Sequence, residues 1–239
     1  MREYAVGIDI GGTHIKMGLF DAGMQLKAEQ KFLTDKDATT VELFNFLYQK
    51  VESLLLGAGM SLDNVRGIGV ALPSSVDIKR GVALESSNII SLNDQPVRDL
   101  LTQRFQLPVY VDNDGNVAAL AEHKYGAGRG YDNLIYATLA TGIGGGLILN
   151  GQLYRGMHGM AGEIGHMFIS DSIGYPCGCG VIGCVQSICS GTFMARYAMD
   201  RMVASYRHHS LIDQKYPAKF LPAELGERAE TIGAALLVP

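Results

Sequence analysis

Residues 5–20 read AVGIDIGGTHIKMGLF, and this stretch decides the fold. Ala5–Ile10 alternates and stops at Gly11-Gly12-Thr13; a second strand, Ile15–Phe20, follows at once. Asp21-Ala22-Gly23 supplies another turn and Gln25–Leu33 a third strand. Strands joined by such tight turns predict an antiparallel meander. Further out, Thr40–Leu56 carries Leu43, Leu47, Val51, Leu54 and Leu55 at the spacing of a helix with one buried stripe. Gly67–Leu72 is a short buried strand ending at Pro73, Val97–Phe105 a second helix, and Pro108–Val111 a strand running into Asp112-Asn113-Asp114. That order predicts an α/β layer on a mixed sheet.

After a helix over Asn116–Tyr125 the opening pattern returns. Leu134–Leu139 is a strand, Thr141–Gly146 (TGIGGG) a glycine turn, Leu147–Leu149 a strand, Asn150-Gly151 a hairpin turn and Gln152–Tyr154 a further strand. The two halves read as copies of one unit, each with a glycine turn between its first two strands. Two such lobes face to face would present both turns to one cleft.

Composition narrows the function. With 47 % hydrophobic and 18 % charged residues, the 239-residue chain is expected to bury a sizeable core. A net charge of −4 and the lack of a basic block argue against nucleic acid as a partner. The longest apolar stretch, Leu134–Leu149, is interrupted by glycines and is not expected to span a membrane. Met1-Arg2-Glu3 leads directly into a strand, and the few cysteines suit reduced thiols, so a cytoplasmic location is expected.

Four motifs carry chemistry. In Asp9-Ile10-Gly11-Gly12-Thr13, glycines allow the backbone to approach a phosphate and offer it N–H groups. Thr13 adds a hydroxyl donor and Lys16 a point charge, while Asp9 at the end of a buried strand calls for a partner such as hydrated Mg²⁺. A plain hairpin turn with a capping aspartate explains the same residues. The second motif, Thr141–Gly146, is neither a Walker loop nor a dinucleotide fingerprint, because no Lys-Ser/Thr follows it and the next element is a strand. It reads as a second phosphate turn or as a crowded strand crossing. The third, Asn113-Asp114, sits between a strand and a helix, where a carboxylate can take a proton from an attacking hydroxyl or can simply cap the helix. The fourth gathers His166 and Cys177, Cys179 and Cys184 within the segment 166–184, a ligand set for tetrahedral Zn²⁺. Four protein ligands leave no open position, so the metal would be structural. Glu163, three residues before His166, would share a helical face with it.

DIGGTHIK, DNDGN, TGIGGG, AGEIGH and CGCGVIGC, in this order, resemble the ROK family (repressors, open reading frames and sugar kinases) of the actin-like ATPase superfamily, from about Gly7 to Gly191. The resemblance implies a two-lobed actin-like, ribonuclease H-like ATPase fold. Residues 1–115 with 223–239 would form the small lobe, and 116–222 the second lobe with its zinc-binding loop. The implied activity is ATP-dependent phosphorylation of a hexose or N-acetyl-hexosamine. By resemblance Asp114 is the general base. Asn88, Asn113, Glu163, His166 and Gln186 would meet the sugar. Asp9, Gly11, Gly12, Thr13, Lys16, Thr141, Gly142 and Gly144 would meet the nucleotide and its Mg²⁺. His166, Cys177, Cys179 and Cys184 would hold the zinc. Family members commonly form homodimers.

The chain departs from the family pattern at three places. Gln186 stands where a glutamate is usual, and Ser74 where glycine is common. Between Gly191 and Tyr216 nothing matches the family's triple-glycine turn near the adenosine, so the second lobe reads as incomplete. The alternative reading is a sugar-binding protein that has lost nucleotide binding, or a sugar-responsive regulator without a DNA-binding domain.

Overall fold

The computed structural model describes residues 2–86, 88–140, 142–171, 177, 179–191 and 218–239. Its first half is built on β1 (Tyr4–Ile10), β2 (His14–Phe20), β3 (Leu26–Leu33), β4 (Val65–Leu72) and β7 (Val109–Asn113), in the sheet order β3-β2-β1-β4-β7. The meander β1–β2–β3 is antiparallel, whereas β1, β4 and β7 run parallel. Parallel neighbours require crossovers, supplied by α1 (Thr40–Gly57) and α2 (Val97–Phe105). Thr39 starts α1 with a capping box: its hydroxyl accepts the Glu42 N–H at 3.3 Å, while the Glu42 carboxylate accepts the Thr39 N–H at 2.9 Å. The stripe Leu43, Leu47, Val51, Leu54 and Leu55 is buried, in one core with Ile8, Ile68 and Val70.

A short hairpin, β5 (Ser75–Asp77) with β6 (Val82–Glu85), follows β4 and is absent from the sequence reading. Its strands are too short to show a period, and the turn relies on Gly81 at φ 69°.

From β7 the chain passes directly into α3 (Asp114–Tyr125), so the strand extends two residues beyond the expected Val111 and the helix starts two before Asn116. Asn113 makes this junction possible. It is both the last residue of β7 and the cap of α3, accepting the Asn116 N–H on Oδ1 at 3.2 Å. The second half contributes β8 (Leu134–Leu139), β9 (Ile143–Leu149) and β10 (Gln152–Tyr154), an antiparallel meander like β1–β3.

One expectation is corrected here. Gly144, Gly145 and Gly146 belong to strand β9, not to the turn. Strand β9 and α3 cross closely, and glycine is needed on the helix side: a Cβ on Gly115 at the start of α3 would lie 2.4 Å from the Gly145 carbonyl oxygen. One on Gly146 would lie 2.6 Å from the Gly115 carbonyl oxygen. The crowded-crossing reading of TGIGGG therefore fits Gly146, where the neighbour is α3; a Cβ on Gly145 would instead lie 2.8 Å from the Gly162 carbonyl oxygen.

The chain closes with α4 (Val185–Cys189) and α5 (Ala229–Leu236). Helix α5 packs on β1, β4 and α3. Glu122, near the end of α3, anchors the segment that leads into it. Its buried carboxylate accepts N–H groups of Ala127 (2.9 Å), Glu224 (3.2 Å) and Leu225 (2.8 Å). Glu122→Ala orphans all three donors and is expected to cost about 2–4 kcal/mol, measurable by urea denaturation. The segment 192–217, which includes most of the stretch lacking the family's adenosine turn, lies outside the described residues.

Candidate active site

Strands β1, β4 and β7 end side by side, with Asp9 opposite Ala71 and Ala71 opposite Asp112. The carboxyl ends of parallel strands are where α/β sheets bind ligands. Here they open into a cleft of about 410 Å³. Its lining includes Asp9, Gly11, Thr13 and Lys16 in and around the first glycine turn, Gly142 of the second turn, Gly144 at the start of β9, and Asn113 and Asp114. Asn88, Glu163, His166 and Gln186 complete the predicted residues that line it. Thr141 lies outside the described residues.

Gly12 does not line the cleft. A Cβ there would come within 3.1 Å of the Asn88 Cβ and 3.2 Å of its Cγ, so glycine lets Asn88 lie against the turn. Lys16 sits opposite Asp9 in the β1–β2 ladder, 3.5 Å from its carboxylate, and also donates to the Glu227 carbonyl at 3.1 Å.

Glu230, in the first turn of α5, also lines the cleft. The sequence reading named no site residue in α5, which is remote in the chain from the glycine motifs. Its Oε2 is buried without a hydrogen-bond partner among the described residues. The resulting cluster of carboxylates is strongly self-repelling. Burial pushes Asp9 up to about 7; Glu230 and Asp114 add to this and Lys16 opposes it. Burial likewise raises Asp114 to about 6, with the Gly115 N–H opposing and Glu230 and Glu163 adding. Glu163 is raised by burial, with His166 pulling it back. A base with a pKa near neutrality holds little proton at pH 7.5 yet can still accept one.

Behind Glu163 the ligand atoms of His166, Cys177, Cys179 and Cys184 all lie within 4.8 Å of one another. Metal–ligand bonds of about 2.0–2.3 Å need only a small contraction of this set, so the four side chains fit a tetrahedral zinc. The two ring nitrogens of His166 face different neighbours. Nδ1 is 3.6 Å from Cys177 Sγ, and Nε2 is 3.9 Å from a Glu163 oxygen. Gln186 makes contacts the sequence did not suggest: its amide donates to Cys177 Sγ at 3.1 Å, and its carbonyl accepts the Ile143 N–H at 3.3 Å. A glutamate could not make the first bond. No helix among the described residues is long and apolar enough to cross a membrane.

Comparison with known proteins identifies the family. The model of the ROK family matches residues 5–213. The chain is 34 % identical over 221 residues to a glucokinase of Halalkalibacterium halodurans, covering 89 % of this chain and 67 % of the relative. To a glucokinase of Streptomyces coelicolor it is 36 % identical over 200 residues, 84 % of this chain and 60 % of the relative. The chain thus spans about two thirds of the length of these curated relatives. Among solved structures, a ROK family glucokinase from Streptomyces griseus in complex with glucose and AMPPNP superposes with a TM-score of 0.74 at 26 % identity, covering 98 % of this chain and 99 % of that one.

Proposed function

This chain belongs to the ROK family, with the actin-like ATPase fold of its structural neighbours, and from that premise we propose that it transfers the γ-phosphoryl group of ATP to a hydroxyl of a hexose or N-acetyl-hexosamine. The observation that carries this reading is the placing of both glycine turns and Asp114 in one cleft. Asp114 takes the proton of the acceptor hydroxyl. The freed oxygen attacks the γ-phosphorus, the bond to the β-phosphate oxygen breaks, and ADP leaves. The backbone at Gly11 and Thr13 on one side, and at the 142–144 segment leading into β9 on the other, cradles the phosphates. Asn88, Asn113, Glu163 and His166 hold the sugar, with Gln186 at the edge. Taking 1–115 with 223–239 as one lobe and 116–222 as the other, closure over the substrates excludes water, which would otherwise compete as acceptor.

Two ions suit the residues present. Asp9 would hold hydrated Mg²⁺, and the unpaired Glu230 oxygen nearby marks a cleft short of positive charge. Such an ion supplies charge neutralisation on the phosphates. His166, Cys177, Cys179 and Cys184 would hold a structural zinc that fixes the loop carrying Glu163. Metal analysis of protein purified without chelator is expected to return about one zinc per chain; a value near zero would mean that the thiols only pack.

The pH dependence follows from Asp114. Burial raises its pKa to about 6, and only the ionised form accepts a proton. Turnover per bound sugar is expected to be flat above about pH 7 and to fall about tenfold per unit well below pH 6. An acid limb centred near pH 4 would show that burial does not hold this carboxyl above its ordinary range in the working complex.

The direct test of the activity is ADP release from MgATP across a panel of glucose, mannose, fructose and the 2-acetamido hexoses. ADP that appears only with sugar supports the kinase. Saturable sugar binding with no ADP for any member supports the non-catalytic alternative.

A further inference from the structure

Asp112 and Arg155 form a charge pair that the reaction above does not use. Asp112 is 0 % exposed and lies two residues before Asp114, in β7. Its Oδ1 accepts the Asn113 N–H at 2.8 Å and the Asn116 side-chain amide at 3.0 Å. Its Oδ2 accepts Arg155 Nε at 2.7 Å. Arg155 comes from far along the chain, immediately after β10, and its carbonyl accepts the Ala161 N–H at 3.1 Å. That bond closes the loop that continues into Gly162 and Glu163.

Followed in the other direction, the network reaches the catalytic corner. Asn116, 1 % exposed, donates its backbone N–H to Asn113 Oδ1 at 3.2 Å, and Asn113 Nδ2 donates to the Ser74 carbonyl at 3.2 Å. One line of hydrogen bonds therefore joins the Glu163 loop to the side chain beside Asp114, by way of Arg155, Asp112 and Asn116. Stability alone does not require it, because well-packed apolar residues can replace a buried ion pair at no net loss. A planar guanidinium bonding through Nε fixes direction as well as distance, which a lysine ammonium cannot do.

We propose that Arg155 is a positioning residue: the strut that sets the spacing between the sugar-facing Glu163 loop and the Asn113–Asp114 corner. This rests on the kinase reading for its effect on turnover, though not for the strut itself. Small misplacements of reacting groups cost on the order of 10²-fold in rate.

The test uses the full chain with Arg155→Lys, Arg155→Met and the charge-free pair Asp112→Asn with Arg155→Met. Melting temperature, kcat, the KM values for sugar and ATP, and amide exchange at residues 156–166 are measured on each. Arg155→Lys is expected to melt close to wild type, lose kcat at least tenfold, keep its KM for ATP, and exchange faster across 156–166. The charge-free pair should recover the stability lost in Arg155→Met without recovering kcat. Wild-type kcat and wild-type exchange in Arg155→Lys, or recovered kcat in the charge-free pair, would overturn the strut. If wild-type protein turns over no sugar, the kinase reading falls on its own. Exchange then decides, and unchanged protection in Arg155→Lys sinks the proposal.

Discussion

Asp114→Asn is expected to lower kcat about 10³-fold while leaving sugar and nucleotide affinity within a few-fold, because a general base contributes roughly 10²–10⁴ in rate. The substitution is nearly isosteric. Asp114 Oδ1 accepts the Gly115 N–H at 2.8 Å, and an asparagine oxygen keeps that bond. Helix α3 is capped by Asn113, so its start does not depend on residue 114. Removing one negative charge also relieves the repulsion with Glu230 and Glu163, so the variant should melt no lower than wild type. Loss of turnover therefore reports chemistry and not unfolding. Steady-state ADP release together with a melting curve checks it. Activity within tenfold of wild type would place the base elsewhere.

The second large effect is expected from the thiol cluster. Cys177→Ser, or chelation of the proposed zinc, should weaken sugar binding about 10–100-fold, by analogy with the loss of metal affinity or activity when the partners supporting a metal site are removed. The reason is the double duty of His166, whose ring meets Cys177 through Nδ1 and the Glu163 side through Nε2. In the proposed zinc site the metal would lock the ring, and without it the loop around Glu163 would lose that stay. The effect should reach the second glycine turn as well, because Gln186 joins Cys177 Sγ to the Ile143 N–H. Calorimetry of sugar binding before and after chelation, and after adding zinc back, measures it. Equal affinity in metal-free and reloaded protein would show that the loop stands without the ion.

The first meander, α1, α2 and β8 were legible because each is set by local rules: alternation, a stripe at helical spacing, a tight turn, a capping pair. The β5–β6 hairpin was not, since three- and four-residue strands carry no period. Position 113 shows why boundaries are harder. Asparagine can end a strand and cap a helix, and only the fold shows that it does both. TGIGGG shows the limit for motifs. Glycine is needed for close approach in either case, and whether a phosphate or α3 makes that approach depends on contacts far apart in sequence. Gly142, Gly144 and Gly145 line the cleft, whereas Gly146 makes room for α3. Glu230 and Arg155 carried no signal for the same reason. Each gains its meaning from a partner about forty or more positions away: Arg155 from Asp112, and Glu230 from Asp9 and Asp114.

The most direct measurement is a crystal structure of Asp114→Asn soaked with its best sugar and a non-hydrolysable ATP analogue. The expected result places the acceptor hydroxyl about 3 Å from the residue 114 side chain, with the terminal phosphate between the turn at 11–13 and the 142–144 segment. Density for the triphosphate outside that cleft, or a sugar whose hydroxyls all lie beyond reach of residue 114, would contradict it.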